Sequence, residues 1–144
     1  MNIYEEILKF KRKYPITIAW RLKKNSLIAE RHLNPDEKVL YTFAAQKNDS
    51  FLDIFSSAVV VLTNKRILIG RKRVVFGYFL DSITPDMFND LKVKSGLIWG
   101  KILIDTVKEF VVLSNIDISA LPEIETNISS YMMEAKKEYV RRED

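Results

Sequence analysis

The chain has 144 residues, 47% apolar and 29% charged, with a formal net charge of +4 and no cysteine. That is the size and composition of one soluble globular domain able to bury its own core, and it excludes disulfides, a thiol nucleophile and a thiolate metal site. The longest uninterrupted apolar run is the pentapeptide Ala58–Leu62, against the ~20 residues of a membrane span, and no apolar block of signal-peptide type opens the chain; a cytoplasmic protein is expected.

Residues 3–31 read as helix, because Ile3, Ile7, Leu8 and Phe10 recur at three- and four-residue steps and Ile16, Ala19, Trp20, Leu22 and Leu27 follow less cleanly. Pro15 is expected to divide this segment into two short helices. Residues 1–33 carry eight Lys or Arg against three Glu, so the basic character of the chain belongs to this end. Asn34-Pro35-Asp36 then signals a turn.

From Lys38 to Leu113 the period changes to two, with β-branched and aromatic enrichment, which predicts strands near 38–46, 57–63, 66–72, 74–80, 89–94, 97–104 and 107–113. Asn64-Lys65, Ser95-Gly96 and Asp105-Thr106 are the expected hairpin turns. Pro85 argues for a turn within residues 81–89. The other long connection, Lys47–Ser56, has turn formers at Asn48, Asp49 and Ser50 followed by an apolar turn of Phe51, Leu52, Ile54 and Phe55. Residues 118–142 read as an amphipathic helix, capped by Asp117 or Ser119, whose stripe is Leu121, Ile124, Ile128, Met132, Ala135 and Tyr139. Such a stripe must pack on the strands.

Seven antiparallel strands followed by one amphipathic helix resemble the pleckstrin-homology fold, and the local residues resemble its bacterial YokE-like branch. The carriers are Leu33–Leu40 (LNPDEKVL), Val61–Ile69 (VLTNKRILI) and Val93–Ile102 (VKSGLIWGKI). The resemblance implies a mainly β fold, a seven-stranded bent β-sandwich capped by the C-terminal helix over residues 33–144, with residues 1–32 as an N-terminal helical extension. It also implies a non-catalytic module, often oligomeric. Eukaryotic phosphoinositide-binding members carry several cations between their first two strands. Here that loop has only Lys47, set against Asp49 and Asp53, so phosphoinositide binding at the usual place is disfavoured.

No residue group calls for catalysis, a metal or a cofactor. The single histidine, His32, sits beside a turn without a metal-binding partner, and no glycine-rich phosphate loop or His-Glu-x-x-His pair occurs. Asp36 and Glu37 fit turn and capping duties. Asp49 and Asp53 lack a third ligand and read as a solvated loop. Two surfaces remain as candidates. Lys9, Lys11, Arg12, Lys13, Arg21, Lys23 and Lys24, interleaved with Tyr14 and Trp20, form an anion-binding patch toward a membrane surface or, less favourably, nucleic acid. The preferred alternative makes them the solvated face of packed helices. The second cluster, Arg71, Lys72 and Arg73, gains weight only if it falls beside the first. Phe76, Tyr78 and Phe79 alternate along the fourth strand and mark an association surface for a protein partner or a second copy in a homo-oligomer. Trp20 and Trp99 read as packing residues.

Overall fold

The computed structural model describes residues 2–47, 56–73 and 76–143, with the side chains of residues 139–143 left aside. The expected apolar turn at Phe51–Phe55, the Asp49/Asp53 pair and the side chain of Tyr139 lie outside these residues. Helices α1 (Ile3–Lys13) and α2 (Leu22–Arg31) lead into seven antiparallel strands and a long helix α3 (Leu121–Glu143). The strands are β1 (Val39–Lys47), β2 (Ser57–Thr63), β3 (Ile67–Lys72), β4 (Tyr78–Ile83), β5 (Phe88–Ser95), β6 (Trp99–Thr106) and β7 (Phe110–Asp117). A short 3-10 turn, Ile118–Ala120, enters α3, and Asp117 caps it by accepting from Ser119 N at 2.9 Å. No helix among the described residues is long and apolar enough to cross a membrane.

Sheet order is β4-β3-β2-β1-β7-β6-β5. Among the described residues the two halves meet only at Gln46↔Ser114 and Lys47↔Leu113, and the sheet curls into a bent sandwich. Its concave face holds the main core, in which Phe43, Val60, Ile69, Phe88, Ile104 and Leu113 are buried. Leu121, Ile124, Ile128 and Met132 of α3 close that core, as the stripe predicts, while Ala135 is half-buried. Phe10 and Tyr14 enter it from α1, beside the part of β1 that lacks a β7 partner; the Phe10 and Phe43 ring centroids are 6.1 Å apart.

The convex face of the first half is also covered. Ile3, Ile7, Ala19 and Ala29 from the N-terminal segment bury Ala44, Val59, Val61 and Leu68 of the sheet. Strand β2 is therefore buried on both faces, the condition under which a strand reads as an unbroken apolar run rather than an alternating one. The Ala58–Leu62 pentapeptide is that run. Helix α2 lies close on β3 because Gly70 has no side chain: a Cβ there would stand 3.3 Å from both Asn25 O and Ala29 N. Asn25 is buried and pins the contact, donating to Ser57 O at 3.0 Å and accepting from Lys72 N at 2.8 Å.

Strands β4 and β7 begin a full turn later than their apolar pattern predicts, and the other starts fall within two residues of it. Expected at 74–80, the fourth strand starts at Tyr78, and Phe76 lies in the hairpin rather than on the strand. Gly77 decides this, since its φ of +72° is cheap for glycine and the turn closes through Arg73 N donating to Gly77 O at 3.1 Å. The seventh strand, expected at 107–113, starts at Phe110. Its turn is headed by Thr106, whose Oγ1 accepts from Glu109 N at 3.0 Å and also lies 2.7 Å from Glu109 O. Thr63 heads the β2–β3 turn in the same way, with Oγ1 accepting from Lys65 N at 3.0 Å and Arg66 N at 3.1 Å. In both turns the threonine is the first residue, so the second turn lies downstream of Asp105-Thr106.

Candidate functional site

The two most distinctive sequence stretches meet at one point. Asn34 and Glu37 from the turn before β1 face Thr63, Asn64 and Arg66 of the β2–β3 hairpin. Arg66 grips Glu37 with Nη2 at 2.8 Å from Oε1 and Nε at 3.2 Å from Oε2. Thr63 Oγ1 and Asn34 N add donors to the same carboxylate at 2.7 and 3.0 Å. Arg66 also donates to His32 O and Ser82 Oγ, so its fork ties α2, β4 and the turn together. Burial alone raises a carboxyl pKa, but the bonds from Arg66, Thr63 and Asn34 and the Arg66 charge outweigh it and hold Glu37 below the ordinary value. Asn64 Oδ1 accepts from Lys38 N at 2.8 Å, completing the latch. These residues lock the fold.

A second carboxylate joins the ends of the chain. Glu123, in the first turn of α3, receives Lys13 Nζ at 2.6 Å, Tyr14 OH at 3.0 Å and Tyr41 OH at 2.8 Å. Burial opposes its charge, and the three donors still depress its pKa, while the two tyrosines are pushed up by burial and by the carboxylate they serve. His32 is equally engaged. Its Nδ1 lies 2.7 Å from Ile28 O, which can only accept, so Nδ1 carries a proton, and Nε2 shares a hydrogen bond with Tyr78 OH at 3.0 Å. Among the described residues no group of three or more His, Cys, Asp or Glu is placed to hold a metal ion.

The basic segment divides by environment. Lys11 turns inward to the carbonyls of Pro15 and Thr17, and burial lowers its pKa. Lys13 is held by Glu123, and Lys9 pairs with Glu6 at 3.3 Å. Arg21 takes the left-handed φ of +56° at the start of α2 and donates to Lys72 O at 3.0 Å and Arg73 O at 3.5 Å. Arg12, Lys23 and Lys24 are exposed. Arg21 thereby sets the start of α2 against the β3–β4 hairpin, and the two basic clusters become neighbours. A shallow open depression of ≈ 490 Å³ lies here, lined by Tyr4, Ala19, Trp20 and Leu22 with Arg21, Lys23 and Lys24. Trp20 is half-exposed over it, whereas Trp99 packs with Nε1 donating to Ile16 O at 2.7 Å.

Strand register puts the β1–β2, β3–β4 and β6–β7 connections at one end of the sandwich, since β2 and β7 both run antiparallel to β1 and β3 to β2. At this end Phe76 is 80% exposed, with Phe79, Val107 and Phe110 also exposed. Arg71 and Arg73 lie 4.5 and 5.3 Å over the Phe79 ring. Lys47, the single cation expected between the first two strands, pairs with Asp81 across the concave face. The two outer strands differ. Helix α3 lies against β5, and Lys136 reaches Phe88 O. Strand β4 ends the sheet order on the other side, so its outer edge has no strand partner among the described residues.

The bacterial PH domain family model matches residues 33–130, more than half of the chain. The chain belongs to the bacterial PH domain family. No curated protein matches it. Membership points to a binding module. In this PH domain the matched region holds the Glu37–Arg66 latch, the sheet and the first part of the closing helix, up to residue 130, while α1 and α2 precede it. Helices α1 and α2 therefore add surface outside the matched region, and α2 lies beside the β3–β4 hairpin. Composition alone could not locate them, because the sequence does not show which lysines turn inward.

Proposed function

We propose that this PH domain is a non-catalytic binding module that takes a protein strand along the open edge of β4, with Phe76, Tyr78 and Phe79 as its contact residues. A second copy of the chain supplies such a strand, β4 pairing antiparallel with β4 about a two-fold axis. The observation that carries this reading is the combination of a strand that ends the sheet, its outer edge without a strand partner among the described residues, with a nearly bare phenylalanine at its entry. Exposed edges of this kind are usually blunted or covered. The non-catalytic part is supported by what the polar groups already do. His32, Glu37 and Glu123 each hold neighbouring elements together through their hydrogen bonds.

Light scattering after size exclusion, over a concentration series, tests it. A concentration-dependent dimer in the native protein, and a monomer in Phe76→Asp/Phe79→Asp with an unchanged circular dichroism spectrum, are expected. A strict monomer at every concentration overturns the homomeric form of the reading.

A further inference from the structure

The outward face of α2 has a composition that its structural role does not require. Asn25, Ser26, Ile28 and Ala29 are buried against the sheet, and the exposed residues of the helix are Lys23, Lys24, Leu27 and Arg31. At 100° per residue these four share an arc of about 100°, one stripe of the helix. It carries three cations and one apolar side chain; Glu30, the only acid of α2, stands about 20° beyond Lys23 at the edge of the stripe and is half-buried. Trp20 extends the stripe past the start of the helix, lining the same depression as Lys23 and Lys24. Trp20 and Leu27 are 37% and 38% exposed. Arg21 then joins the stripe to the hairpin, where Arg73 is exposed and Lys72 half-exposed.

We propose that this α2 face docks the domain on an anionic membrane surface, with Trp20 and Leu27 seated at the headgroup boundary and Lys23, Lys24 and Arg31 over acidic lipid headgroups. Charge complementarity selects the occupant. A helix lying in a membrane interface carries Lys and Arg beside a few Trp, Phe or Leu side chains, and it needs no pocket. Tryptophan favours the interface because its ring is apolar and its N–H stays wet. Nucleic-acid phosphates would engage the cations equally well, but they offer nothing to the exposed Leu27. The stripe lies on a helix outside residues 33–130, so the docking face belongs to the N-terminal segment and not to the matched PH region. It is carried by observations independent of the β4 edge.

The test uses the full chain in sedimentation with phosphatidylcholine vesicles, alone or carrying phosphatidylserine, at low and high salt, with a duplex DNA shift assay in parallel. Binding to the phosphatidylserine vesicles that weakens with salt is expected. Lys23→Gln/Lys24→Gln should weaken it about 25-fold, since each cation near an anionic surface contributes about fivefold. Lys23→Arg/Lys24→Arg should restore it, and Trp20→Ser/Leu27→Ser should weaken it while leaving the salt dependence in place. All these positions are exposed or half-exposed, and an unchanged thermal melt establishes that each variant folds. Equal binding to neutral vesicles, binding unaffected by the Gln pair, or a DNA shift without vesicle binding would each overturn the proposal.

Discussion

Replacing Glu37 with Gln tests the latch that joins the turn before β1 to the β2–β3 hairpin. The Glu37 side chain has no accessible surface and that of Arg66 only 19%. Gln keeps the shape but removes the charge, and its amide nitrogen must face one of the donors now served by a carboxylate oxygen. Breaking a buried pair from one side costs about 3–5 kcal/mol. Arg66 retains His32 O and Ser82 Oγ as acceptors, which places E37Q toward the lower end, at about 3 kcal/mol. For a chain of this size that corresponds to a fall of about 6–12 °C in melting temperature. Urea unfolding followed by circular dichroism at neutral pH measures the loss directly. The double change E37L/R66M removes both charges and should cost less than E37L and R66M added together. A loss below about 1 kcal/mol for E37Q, or strict additivity in the cycle, would refute the reasoning.

Asn25→Ala leaves Ser57 O and Lys72 N without their partner beneath α2 and should cost about 1–3 kcal/mol. Faster hydrogen exchange at the Lys72 amide than at amides of β6 would show that the loss is local to the α2–β3 contact. Arg21 holds a left-handed backbone, so Arg21→Gly should be more stable than Arg21→Ala by about 1 kcal/mol, although both lose the hairpin bonds. Gly100→Ala places a Cβ 2.9 Å from Lys94 O and 2.4 Å from Leu121 Cδ1, and chemical denaturation should show a loss of about 1–3 kcal/mol. Glu37 and Glu123 both have folded pKa values below their unfolded ones. Their contribution is therefore complete above the ordinary carboxylate range, about pH 5, and disappears as pH falls through the depressed values. A pH series of melts should show this acid limb, and it should be shallower in Glu123→Gln.

Much of the architecture was legible in the sequence because it rests on local periodicity. The change from a three-to-four-residue to a two-residue period separated the helices from the sheet, and the Leu121–Met132 stripe faces the core as its spacing required. Pro15 parted α1 from α2. The run Ala58–Leu62 marked the strand with no solvent face, although only the packed helices show what covers its second side. The late starts of β4 and β7 escaped the pattern because Gly77 and Thr106 fix their turns by backbone angle and side-chain hydrogen bonding, which apolar spacing does not register. The basic segment was the least legible part. Sequence determined that its cations outnumber its acids, since charge is a property of residue type. Only tertiary structure decided that Lys11 turns inward, that Lys13 serves Glu123, and that Arg21 brings α2 beside the β3–β4 hairpin. The first depends on the chain reversing after α1, six positions on, and the other two on partners 110 and 51 positions away, contacts that exist only once the sheet has curled and the helices have closed on it.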